Sequence, residues 1–218
     1  MSSVYQWGDT SSSQNISHDS QIDPMQDPDY VAPKCVIGLD RDGVINVDRG
    51  TYTYTPQDFQ PVPGSLEAVA RIRRLGHKLA IITNQGGIEK GLYSVNDVEN
   101  LHQHMLNLFG DAGCPSIDAI YYSVSSRKND EWAKPNTGMF KRCEKEFPHI
   151  KFSKGFYVGD KISDLKAAHK IGARPILVRT GYGLETEKEL NKFTYKAIKK
   201  RTKIFDTLLD FAIWLEAH

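Results

Sequence analysis

An α/β fold, a parallel sheet covered by helices on both faces, is what this chain predicts, and three observations predict it. Short apolar runs alternate with stretches of helical period from residue 36 to the end. Four of those runs are followed by polar residues of chemical interest: Asp40 and Asp42, Thr83 and Asn84, Lys134 beyond the third, and Asp160 with Asp164. In open α/β sheets ligands gather at the carboxyl ends of the strands, so these groups share one edge. Finally, 218 residues with 39% hydrophobic and 25% charged content can bury one core.

Taken in order, residues 1 to 33 differ from the rest. They are rich in Ser, Asp and Gln and sparse in apolar side chains. Such a segment buries too little surface to offset its ordering entropy, so a disordered or partner-docking arm is expected, with Tyr5 and Trp7 as anchors. The folded unit then runs from 34 to 218. Val36 to Leu39 reads as a buried strand, followed by Asp40-Arg41-Asp42-Gly43 and a polar loop to Gln60. Pro63-Gly64-Ser65 opens a helix that Gly76 ends. Lys78 to Ile82 is the second strand, and Ser94 to Phe109 a capped amphipathic helix. His102 and His104 lie on different faces of that helix and read as core or surface histidines. Ile117 to Val124 is the third strand, and Thr137 to Phe147 a helix. Phe156 to Val158, Pro175 to Val178 and Ile204-Phe205 complete the strands. A helix from Leu165 to Ile171 follows the fourth, and Asp206 caps the last helix. Glu185 to Arg201 reads as a solvated charged surface.

Several function classes fall away. Lys plus Arg total 28 and Asp plus Glu 27, which argues for neither nucleic acid nor an acidic membrane as partner. No apolar run approaches the ~20 residues that span a bilayer, and the N-terminus lacks a secretory pattern, so a cytoplasmic protein is expected. Cys35, Cys114 and Cys143 are odd in number and far apart, as idle thiols are in a reducing compartment.

Asp40 and Asp42 lie two apart at a strand end, where paired carboxylates repel unless a cation joins them; Mg²⁺ suits such oxygen ligands. With a phosphate monoester as substrate, Asp40 is the nucleophile and Asp42 the general acid and base, its pKa raised by burial and by Asp40. The Asp40 carboxylate, the Asp42 main-chain carbonyl and Asp160 would hold the metal. Lys134 adds a cation, Thr83 and Asn84 donate to the transferring group, and Asp164 orients Lys134 or a metal-bound water.

Asp40-Arg41-Asp42-Gly43, Thr83-Asn84-Gln85, Lys134-Pro135 and Gly159-Asp160-x-x-x-Asp164, in this order, resemble the four motifs of the haloacid dehalogenase superfamily. Longer stretches, from DRDGVINVDRG at 40–50 to ILVRTGYG at 176–183, resemble its heptose bisphosphate and histidinol phosphate phosphatase branch over about residues 35 to 183. The resemblance implies a Rossmann-like core with a minimal cap and a Mg²⁺-dependent phosphatase acting through an aspartyl-phosphate. A heptose 1,7-bisphosphate is the leading substrate. Histidinol phosphate, or a silent binding subunit on the same fold, are the alternatives. It also implies substrate contacts from Asp48, Arg49, Gly50 and Thr51, from Thr83 to Gly86 (through Asn84 and Gln85), and from Lys134 and Lys161. Two departures stand out. The branch's Cys- and His-bearing zinc loop is replaced by Ser123 to Trp132, which has neither residue type, so no zinc is expected. Ala133 stands where the branch has an arginine, and Arg127 or Lys128 is expected to replace its charge.

Overall fold

A computed structural model describes residues 4–5, 35–114, 116–148 and 150–218. Trp7 and the rest of the segment to residue 34 lie outside the described residues. The strands are β1 (Val4–Tyr5), β2 (Val36–Leu39), β3 (Lys78–Asn84), β4 (Ala119–Ser123), β5 (Phe156–Gly159), β6 (Arg174–Val178) and β7 (Lys203–Phe205). The longer helices are α1 (Ser65–Arg74), α2 (Val95–Asp111), α3 (Gly138–Glu146), α4 (Ile162–Ile171) and α7 (Leu208–Glu216); α5 (Gly183–Glu189) and α6 (Lys196–Arg201) are short. Strand order is β1-β4-β3-β2-β5-β6-β7, with β2 to β7 parallel and β1 antiparallel to β4.

The chain first builds outward from β2 through β3 to β4, then returns to β5 on the other side of β2. Connections therefore diverge between β2 and β5, and a crevice opens there at the carboxyl edge. Strand alternation assigns the two faces. Leu79 and Ile81 pack with Val69, Ile72, Leu101, Met105 and Phe211 of α1, α2 and α7. Ala80 and Ile82 pack with Met139 and Phe140 of α3 and Ala167 and Ala168 of α4. Gly38 of β2 is needed on the second face: a Cβ there would lie 2.6 Å from the Tyr157 ring. Among the described residues no helix is long and apolar enough to cross a membrane.

Three expectations need correction. The arm is not wholly separate from the core: Val4 pairs with Tyr121 and Tyr5 with Ile120. The outer edge of β4 offers unpaired backbone groups, and this short strand satisfies some of them. The stretch 185–201 is more than a solvated surface, since Leu190 and Ile198 are buried with Leu165 and Leu177 under α5 and α6. Thr207, not Asp206, caps α7: its hydroxyl oxygen accepts from the Asp210 N–H, while Asp206 pairs with Arg179.

Candidate active site

The carboxyl ends of β2, β3 and β5, with the loop after β4, bring together Asp40, Thr83, Asp160, Asp164 and Lys134, all buried. Lys134 Nζ is 2.9 Å from Asp40 Oδ2 and 2.7 Å from Asp164 Oδ1. It also donates to the Ile82 carbonyl (3.0 Å) and the Tyr157 hydroxyl (2.9 Å). Asp164, in the first turn of α4, thus orients the lysine, while its Oδ2 accepts from the Lys161 N–H. Gly43 turns the chain at φ +88°, and a Cβ there would fall 2.1 Å from Asp160 Oδ2.

Oxygen atoms of Asp40, Asp160 and Asp164 lie within 4.8 Å of one another. Burial, partly countered by Lys134, pushes the Asp40 carboxyl up. Burial pushes Asp160 well above the carboxylate range, with Asp164 and Asp40 adding to it. Asp160 Oδ2 accepts from the Tyr182 N–H at 2.9 Å, whereas its buried Oδ1 has no hydrogen-bond partner. An orphaned carboxylate oxygen among acidic neighbours is a fit for a hard divalent cation.

Asp42 departs from expectation. Its carboxylate is not in that acidic group, because Arg41 grips it: Nε donates to Oδ1 at 3.1 Å and Nη2 to Oδ2 at 2.8 Å. Asn46 Nδ2 and Gln85 Nε2 add bonds of 2.9 and 3.2 Å. Burial alone would raise its pKa, but the Arg41 charge and these donors outweigh burial and hold it below the usual carboxylate range. The raised pKa expected from Asp40 is therefore corrected.

A cavity of about 380 Å³ opens beside Asp42, with Asp48, Gly50, Thr51, Asn84, Gln85, Gly86 and Lys161 in its wall. Lys161 Nζ pairs with Asp48 Oδ2 at 2.8 Å and sits 4.8 Å from the centre of the Tyr182 ring. Tyr52, Thr53, Ser126 and Tyr182 complete the wall and were not anticipated. Arg49 was, but it reaches outward to Gln60 Oε1 and is not in the wall. The side chain of Asn84 is committed to Lys134, accepting from its N–H at 2.9 Å and donating to its carbonyl at 3.0 Å. It fixes the lysine segment from the wall of the cavity. Thr83 Oγ1 accepts from Gln85 Nε2.

The proposed stand-ins for the missing arginine do not enter this cavity. Arg127 pairs with Glu89 at 2.7 Å, and Lys128 borders a different depression with Lys141 and Lys170. Ala133 is fully buried. Three residues missed by sequence reading matter here: Arg41, His102 and Tyr157. His102 had a signal, since it falls on the apolar stripe of α2 beside Val98, Leu101 and Met105.

A family model described as polynucleotide kinase 3 phosphatase matches residues 36–212. D-glycero-beta-D-manno-heptose-1,7-bisphosphate 7-phosphatase of Pseudomonas putida is 34% identical over 174 residues, covering 80% of this chain and 95% of the relative. The enzyme so named from Vibrio cholerae is 40% identical over 157 residues, 68% of this chain and 83% of its own. Among solved structures, D,D-heptose 1,7-bisphosphate phosphatase from B. bronchiseptica, complexed with magnesium and phosphate, superposes with a TM-score of 0.76 at 29% identity. It covers 84% of this chain and 98% of that one. The Burkholderia thailandensis enzyme gives 0.64 at 30% identity, covering 85% and 100%. With the four motifs at one sheet edge and these relatives along nearly their whole length, the chain belongs to the haloacid dehalogenase-type phosphatases, the phosphoric monoester hydrolases of this fold.

Proposed function

We propose that this protein hydrolyses a small phosphorylated metabolite through an aspartyl-phosphate at Asp40, with D-glycero-D-manno-heptose 1,7-bisphosphate as substrate and the 7-phosphate as the group removed. The observation that carries the reading is the Lys134-paired Asp40 carboxylate beside the unpartnered oxygen of Asp160. The adjoining cavity has the size of a sugar phosphate site. The curated relatives bear that activity in their names.

In this mechanism an Asp40 oxygen attacks phosphorus, and the bond from phosphorus to the ester oxygen breaks. Asp42 gives the leaving oxygen its proton. Asp42 then takes a proton from water, whose oxygen attacks phosphorus, freeing phosphate and restoring Asp40. Ionised on Arg41, Asp42 stands ready as the base. Its acid role needs a proton, and an arriving phosphate dianion raises its affinity for one. Lys134 balances Asp40 and Asp164 and holds a phosphoryl oxygen, with Thr83 as a hydroxyl donor. Asp40, the Asp42 main-chain carbonyl and Asp160 would hold Mg²⁺, which when bound supplies positive charge against the phosphoryl oxygens. Asp48, Gly50, Thr51, Gln85, Gly86 and Lys161 would contact the sugar and its second phosphate. Residues 34–218 form the phosphatase unit, 1–33 an arm. We place the activity in the cytoplasm, on a metabolite rather than a membrane or nucleic acid.

Phosphate release measured with Mg²⁺ from heptose 1,7-bisphosphate, histidinol phosphate and a 3′-phosphorylated oligonucleotide tests the substrate. The bisphosphate is expected to give the highest kcat/KM. A preference for the oligonucleotide, which the family model's description keeps in view, would overturn it.

A further inference from the structure

The largest fully buried side chain is that of Arg41, which sits between the two aspartates in sequence. Its bonds fall into two sets. One set is the two-pronged grip on Asp42 described above. The other holds the guanidinium itself: Nη2 donates to the Thr53 carbonyl at 2.9 Å and to Gln85 Oε1 at 3.0 Å, and Nη1 meets His102 Nε2 at 3.2 Å. Arginine has no acceptor, so His102 Nε2 must present its lone pair and the ring must be neutral, with its proton on Nδ1. Burial, assisted by the Arg41 charge, drops the His102 pKa to about 3, consistent with that neutral acceptor. The imidazole is fully buried and its other side meets the edge of Tyr122, ring centres 5.5 Å apart. It is therefore fixed in place by α2, an element that supplies no residue to the cavity wall.

We propose that His102 is a positioning residue: by anchoring the Arg41 fork it fixes the Asp42 carboxyl at the cavity wall, and so controls proton delivery to the leaving group. The proposal rests on the phosphatase reading above and deepens it. A buried fork with one prong released keeps its charge but loses its fixed direction, and proton transfer is sensitive to direction at the scale of a hydrogen bond. The consequence is selective. An alkoxide leaving group must be protonated as its bond to phosphorus breaks. A 4-nitrophenolate leaves as the anion and needs no proton.

The experiment compares kcat and KM for heptose 1,7-bisphosphate and 4-nitrophenyl phosphate in wild type, His102→Leu and His102→Gln. Leucine fills the space without an acceptor, whereas the glutamine amide oxygen can occupy the Nε2 position. In His102→Leu the ratio of kcat/KM on the alkyl ester to kcat/KM on the aryl ester, which reports phosphoryl transfer to Asp40 and not the later attack of water, is expected to fall about tenfold or more, a fraction of what general acid catalysis contributes. KM should change less than kcat, and His102→Gln should restore most of the ratio. Equal losses of kcat/KM on both substrates, no loss on either, or a glutamine variant as impaired as leucine would overturn the proposal. Should His102→Leu fail to fold, Arg41→Lys, which retains charge but not the fork, is expected to lower the same ratio, and an unchanged ratio would overturn it equally. A wild-type protein that hydrolyses neither ester refutes the phosphatase reading itself. A wild type active on both, with ratios unmoved in the variants, refutes the role of His102 alone.

Discussion

Asp40 and Asp42 stand two residues apart on one turn and live in opposite environments. Asp40 faces one lysine and two further carboxylates, and burial pushes its pKa up. Asp42 faces a buried guanidinium and two amide donors, and its pKa is held down. Two titratable groups separated in this way are suited to different tasks. The acidic side lacks a positive charge that a divalent cation would bring, and Asp160 Oδ1 is the atom left without a partner. The Asp42 side is already neutralised by Arg41. Proximity in the sequence thus says little about electrostatic role, because backbone direction at a strand end sends neighbouring side chains to different partners.

The comparison breaks most completely at Asp40. Asp40→Asn keeps the shape but removes the attacking charge, so phosphate release should fall by about three orders of magnitude or more, with circular dichroism unchanged. Next, Asp160→Ala removes the oxygen reserved for the cation. The Mg²⁺ concentration for half-maximal activity is expected to rise about a hundredfold or more, since losing a direct ligand costs at least what losing a residue that only supports one does. Elemental analysis of the wild type should find no stoichiometric zinc.

A smaller effect sharpens the Asp42 side through its anchor. His102 is neutral in the fold, with a pKa of about 3, against 6.5 as its ordinary value. Between those values the unfolded chain binds a proton that the folded chain does not, so stability falls as pH drops below 6.5. At pH 5 the His102 contribution to this loss is about 2 kcal/mol, read as the difference between wild type and His102→Leu in how far the urea unfolding free energy falls from pH 7. His102→Leu should remove that part of the slope. The smallest effect lies farthest from the site. Deleting residues 1–33 removes the two-residue ladder on β4, lowers Tm by about 2–4 °C, and uncovers a sheet edge that increases self-association in light scattering.

How much was legible in the sequence differs between these parts. Periodicity located six of the seven strands, because a buried parallel strand must be apolar and a covering helix must be amphipathic. The seventh, Val4–Tyr5, carries no such pattern: two residues gain a place only from the open edge beside them. Asp40, Lys134, Asp160 and Asp164 were visible as polar groups following strands. The grip of Arg41 on Asp42 was not, since it depends on Gln85 from β3's end and His102 from α2.

By itself, then, the order of residues determined the layered α/β fold, the edge at which chemistry gathers, and the carboxylates and lysine placed there. These follow from local rules: periods of two and 3.6 residues, and polar groups at strand ends. Tertiary structure alone decided which charge neutralises which, that Asn84 serves Lys134, that Arg49 and Arg127 point away, and that Ala133 is enclosed. A pKa or an ion pair is set by what surrounds a group in space within a few ångströms, and those neighbours come from segments that only packing brings together.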